Sequence, residues 1–159
     1  MNAGRLQHEL KKKRPFASLD QEVLLNILRT NDQLQIRLER LFRQFGLTSS
    51  QYNVLRILRG EGDSLPITEI ASRTVTVVPG MTGLIDRLET AEMVRRDRSA
   101  EDRRVIYVEI TTKALEVLAK LDKPLMELHA QMVGGLNDTE KRDIVRLMEK
   151  LRSSLADHD

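Results

Sequence analysis

The sequence predicts a mainly α fold with one small β-hairpin, divided into a helical lobe and a compact middle lobe. Three observations predict it. Apolar residues recur at helical spacing before residue 46 and again after residue 111. Between them lie two short helical patterns joined by the tight connection "TVTVV". A single pair of strand-like runs, broken by "SAED", follows those short helices.

The bulk properties set limits on this reading. A chain of 159 residues suffices for one compact domain or two small lobes sharing a core. At 40% hydrophobic and 31% charged residues it reads as globular. No apolar stretch approaches the ~18 residues of a membrane span. The opening "MNAGRLQHELKKKRPF" lacks the apolar centre of a secretory signal. The absence of cysteine excludes disulfides and thiol redox sensing, and fits a cytoplasmic location. A net charge of +2 argues little for nucleic acid by itself, so the placement of the charges matters more. Scarce aromatics and no tryptophan argue against stacking platforms for single strands.

Residues 1–17 read as a basic arm. Its charged part is Lys11 to Arg14, and Pro15 discourages helix there. Such an arm is either a solvated tail or a contact for DNA backbone or a partner subunit. Ser18 and Gln21 have capping-box spacing and open a long helix. Its stripe runs from Val23, Leu24 and Ile27 to Leu41, Phe42 and Phe45, and ends at Gly46, a natural C-cap. A helix of about 40 Å at ~1.5 Å per residue is long for a small monomer. Its apolar face therefore has enough length to cover both a neighbouring lobe and a second subunit.

Thr48 and Gln51 form a second capping box, with Leu47 placed to staple onto Tyr52. That helix stops near Gly60 and Gly62. "LPITEIASRT" reads as a short helix with Ile67, Ile70 and Ala71 inward. The next helix is expected to open with Pro79 in its first turn. It places Met81, Leu84, Ile85 and Leu88 on one face, and Thr76, Pro79, Thr82, Gly83, Asp86 and Arg87 on the other. Strands are expected over Met93–Arg98 and Val105–Ile110, with Ile106, Val108 and Ile110 inward. Thr111 caps a second long helix that Pro124 is expected to kink or interrupt. Asn137 and Glu140 form a third capping box before the last helix, whose stripe includes Ile144, Val145, Leu147, Met148, Leu151 and Leu155.

Two short helices and a following hairpin make a winged helix-turn-helix lobe, residues 46–110. The helices of 18–45 and 111–159 form the helical dimerisation lobe. The second short helix fits a major groove. Gly80 and Gly83 keep its backbone close to base edges and phosphates, while Thr82 can bond a base or pack on a thymine methyl. Arg87 can hold a phosphate from the side. The hairpin, from Arg95 to Arg104, carries five arginines and three acids. Its tip arginines Arg98, Arg103 and Arg104 suit a narrow minor groove, whose negative potential attracts guanidinium. Asp102 can orient one of them through a carboxylate fork. In isolation the same charges make an ordinary surface ion-pair network. The upstream helix-turn-helix favours DNA contact.

At this point the chain resembles the MarR family of transcriptional regulators. The resemblance runs from about Leu19 to Leu155. It is carried by "GLTSSQYNVLRIL", "ITEIA", "GLIDRLETAEMVRRDRSAEDRRVIYVEITTKA" and "LNDTEKRDIVRLMEKL". The resemblance implies a homodimer with interleaved terminal helices, and two recognition helices in successive major grooves of a pseudo-palindromic operator. It also implies a small aromatic or phenolic effector between the lobes, whose binding releases DNA, and hence a ligand-responsive repressor. The sequence departs from the family pattern at three places. Glu92 stands where a glycine turn is usual, Gly83 where a larger polar side chain is common, and Thr112 and Ala114 replace a frequent proline and glycine. The first departure strains the backbone wherever the turn requires positive φ.

An enzyme is not indicated. His8, His129 and His158 lack metal-ligand spacing, and no phosphate loop or nucleophile elbow appears. No cofactor or metal is implied. His129 reads as a polar-face residue and the methionines as core filler. Two other readings remain open at this level: a winged-helix adaptor for another protein, and a nonspecific architectural DNA binder.

Overall fold

The structure is a computed structural model and describes residues 5–98 and 105–156, with the side chains of Arg5 and Arg98 excluded. The elements run α1 (Arg5–Glu9), α2 (Leu19–Gln44), α3 (Ser49–Glu61), β1 (Leu65–Pro66), α4 (Ile67–Ser72), α5 (Met81–Thr90), β2 (Val94–Arg98), β3 (Ile106–Ile110), α6 (Thr112–Met132) and α7 (Asp138–Ala156).

The helix ends obey the local chemistry of the sequence. Ser18 Oγ accepts from the Gln21 N–H at 3.2 Å, and Gln21 Oε1 accepts from the Ala17 N–H at 2.9 Å. At the far end of α2, Gly46 takes a φ of 71°. The Gly46 N–H donates to the Arg43 carbonyl and the Leu47 N–H to the Phe42 carbonyl, which closes a Schellman motif. Leu47 and Phe42 are both buried, so the motif carries its usual apolar contact. Thr48 and Gln51 complete a reciprocal capping box on α3. Tyr52 stacks on Phe42 with ring centroids 4.4 Å apart, which ties α3 to α2. Asn137 and Glu140 cap α7 reciprocally.

One continuous core joins the helical lobe to the middle lobe. Leu41 and Phe42 of α2, Val54, Leu55 and Leu58 of α3, Ile85 and Leu88 of α5, and Leu118 and Leu121 of α6 belong to the same buried cluster. A bidentate ion pair reinforces the junction. The Arg59 guanidinium of α3 donates to both carboxylate oxygens of Asp122 on α6, each at 2.9 Å. The hydrogen bonds to Asp122 raise the Arg59 pKa above its ordinary value.

Several expectations need correction. The sheet has three strands, ordered β1-β3-β2, rather than two. Leu65 pairs with Val108 and Pro66 with Tyr107, both antiparallel. A two-residue strand is too short to show alternation, and only the fold brings it to β3. Helix α4 consequently starts at Ile67; Ile70 is buried, but Ala71 is exposed. Helix α5 starts at Met81, so Pro79 lies in the turn ahead of it and not in its first helical turn. Pro124 does not interrupt α6, which continues to Met132. The arm holds a short helix, α1, whose Leu6 is buried.

The inward sides of the strands are uneven. Val108 is fully buried, while Ile106 and Ile110 are half-buried. The apolar stripes of α2 and α7 are the larger departure from a closed monomer. Leu28 is 62% exposed on α2 and Val145 57% on α7, and no residue of α7 is buried. The sequence supplies these faces with Val, Leu and Ile, yet this chain alone leaves them open.

Candidate nucleic-acid interface

The candidate reading helix is α5. Met81, Leu84, Ile85 and Leu88 are buried against the core, as their spacing predicts. Thr82, Asp86, Arg87 and Thr90 are exposed, and Gly83 is half-buried. Gly80 is the N-cap, in the left-handed region at φ 70°, and among the described residues no side chain caps the helix. The first-turn N–H groups are therefore open to an outside acceptor, the usual chemistry of anion contact at a helix start. A Cβ built on Gly83 meets nothing within 4 Å, so the helix surface is flat and open there.

Thr76 and Pro79 are exposed but precede α5 rather than lying on its outward face. They belong to the loop that delivers the chain from α4 to the reading helix. Arg87 is exposed, and among the described residues nothing pairs with it. The tip residues Asp102, Arg103 and Arg104 lie outside the described residues. So does the Arg98 side chain, although the backbone of Arg98 ends β2 opposite Ile106.

The base of the hairpin is tied to α5. Arg96 of β2 donates through Nη1 to Asp86 Oδ1 at 2.6 Å, and through Nε to Glu89 Oε2 at 2.8 Å. Its Nη2 also bonds Glu89. Glu89 and then Asp86 hold the Arg96 pKa above the ordinary guanidinium value. Arg95 is engaged separately, 2.6 Å from Glu109 on the neighbouring β3. Among the described residues, Arg95 and Arg96 of the hairpin are thus committed within the chain. The sequence shows these charges but not the Arg96 network. Its acids stand seven and ten residues before Arg96, a separation no local period reveals.

A cavity of about 250 Å³ lies beside this interface. Phe42, Ser49, Tyr52, Arg56, Thr76 and His129 contribute to its walls, so α2, α3, α6 and the loop before α5 all meet there. Among the described residues, Ser49 Oγ is buried without a hydrogen-bond partner. Burial raises the Tyr52 pKa. The wall thus combines aromatic surface with a free hydroxyl and a guanidinium. Nothing in the sequence pattern marks these residues as one site.

A mostly helical chain with a three-stranded wing behind an exposed helix defines the winged helix-turn-helix class. The model of the MarR family matches residues 47–106. A MarR transcription factor from Planctomyces limnophilus is 38% identical in solved structure, with a TM-score of 0.67, covering 84% of this chain and 98% of that one. The HTH-type transcriptional regulator MgrA of Staphylococcus aureus is 26% identical over 148 residues, 91% of each chain. The structure of Bordetella bronchiseptica BpsR, solved for regulation of its DNA binding by 6-hydroxynicotinic acid, aligns at 22% identity and TM-score 0.74, covering 82% of this chain and 98% of that one. The chain belongs to the MarR family of transcriptional regulators.

Proposed function

We propose that this protein is a sequence-specific double-stranded DNA-binding regulator, acting as a homodimer on a pseudo-palindromic operator. The observation that carries the reading is α5: one face is sunk in the core and the other stands open beside a hairpin. Thr82, Gly83 and Arg87 read or approach the major groove from that face, with Thr76, Pro79 and Gly80 at its approach. Arg98, Arg103 and Arg104 of the wing reach the adjacent minor groove or backbone, with Asp102 orienting a guanidinium. Residues 46–110 form the DNA-binding lobe, and 18–45 with 111–159 the dimerisation lobe. The open stripes of α2 and α7 support the pairing.

The cavity between α2, α3 and α6 supports ligand-responsive repression by a small aromatic or phenolic compound. The relative BpsR responds to a compound of that kind. Thr76 contributes to the cavity and to the loop that starts the reading helix, so a filled cavity acts on α5 directly. The protein is a cytoplasmic regulator and not an enzyme; among the described residues no helix is long and apolar enough to cross a membrane.

Selection from a random duplex library, followed by salt titration on the selected and a scrambled duplex, tests this reading. A specific regulator keeps its preference at every salt concentration, while log K falls by about 0.9 per phosphate contact against log salt. Equal affinity for both duplexes marks an architectural binder. Binding to neither marks a protein adaptor.

A further inference from the structure

We propose that Arg96 acts on DNA binding through Asp86, by turning and neutralising a carboxylate on the outward face of the reading helix. The inference rests on the DNA-binding reading above. At about 100° per residue, Gly83, Asp86 and Thr90 lie opposite the buried stripe of Met81, Leu84, Ile85 and Leu88. The Asp86 side chain is 53% exposed. A helix seated by this face in a groove about 12 Å wide carries that carboxylate within a Debye length of phosphates on both strands. A like charge so placed opposes binding.

Arg96 removes the conflict. It lies across from the fully buried Val108, so its side chain leaves the sheet on the side that packs toward α5. All three guanidinium nitrogens are committed, Nη1 to Asp86 and Nε and Nη2 to Glu89. With its Arg96 side chain only 26% exposed, the pair is better shielded from salt than a free surface charge. Arg96 is therefore a positioning residue. It does not reach for phosphate itself, and it leaves Arg87, on the edge of α5 away from Glu89, as a cation that nothing among the described residues cancels.

The test is a salt titration of the full-length protein on its selected duplex, with thermal melts of each variant. Arg96→Gln weakens binding roughly tenfold at low salt, and the loss shrinks as salt rises. Adding Asp86→Asn to Arg96→Gln restores most of the affinity. Asp86→Asn alone binds more tightly than the wild type. A brace or a direct phosphate ligand would not be rescued in this way. A double variant no tighter than Arg96→Gln overturns the inference, as does weaker binding by Asp86→Asn alone. Should Arg96→Gln fail to fold, Asp86→Asn alone decides it. A wild type that ignores the selected duplex overturns the DNA-binding reading as well, whereas a wild type that binds with unaltered variants overturns only the role of Arg96.

Discussion

Lys113 Nζ stands 2.9 Å from Glu92 Oε2 and 2.9 Å from the Ala91 carbonyl oxygen, bracing the turn between α5 and β2. Glu92 occupies that turn at φ 59°, a left-handed conformation that disfavours any side chain. Thr111 Oγ1 donates to the Glu92 carbonyl at 2.8 Å and secures the turn from the other side. The sequence places glutamate where the family pattern has glycine, and α6 supplies the brace that holds it.

Glu92→Gly relieves the backbone strain and raises the unfolding midpoint. Glu92→Ala keeps the strain, loses the Lys113 partner and lowers it. Thermal melts of the three proteins check the order Gly, Glu, Ala. Glycine and alanine melting together would show that the turn carries no strain.

The same pair sets a pH dependence. The Lys113 hydrogen bond and charge hold the Glu92 pKa below its ordinary value. The folded state therefore binds the proton less readily than the unfolded chain. The stabilisation is present above the ordinary glutamate value of about 4.3 and is lost as pH falls through the folded value. The stability gap between wild type and Lys113→Ala narrows accordingly below about pH 4. Both side chains are exposed, so the effect is small and shrinks with salt. Denaturant melts from pH 7 to pH 3 measure it, and a gap that widens in acid contradicts the assignment.

Gly80 sets the start of α5. Replacing it with alanine forces a Cβ into the left-handed region and costs about 1–2 kcal/mol. Because the first turn of the reading helix is displaced, duplex affinity falls along with stability. Fluorescence anisotropy beside denaturant unfolding checks both. Unchanged values in both would place the start of the helix elsewhere.

The wing tip is tested by Arg103→Ala and Arg104→Ala. Each lowers duplex affinity by about 1–3 kcal/mol without unfolding the protein. Unaltered binding by both variants takes the wing out of DNA recognition.

Charge placed on the open stripe of α7 tests the pairing. Val145→Glu yields a folded monomer, with duplex affinity falling because two linked reading heads become one. Sedimentation velocity at several concentrations reports the change. A Val145→Glu dimer of wild-type affinity assigns that face to something other than self-association.

The sequence by itself determined four helix starts and the buried stripe of α5. Ser18, Thr48, Thr111 and Asn137 cap through bonds that span three residues, and the α5 stripe repeats within one helical turn. Such signals are legible because the interacting groups are near neighbours along the chain. Tertiary structure alone decided the third strand at Leu65–Pro66, the lining of the cavity, the brace from Lys113 to Glu92 and the grip of Arg96 on Asp86 and Glu89. Each joins residues whose separation bears no helical or strand period, so the partner emerges only when packing brings the two segments together. Where apolar stripes lack a partner among the described residues, as on α7, spacing identifies the face, and no local period identifies what covers it.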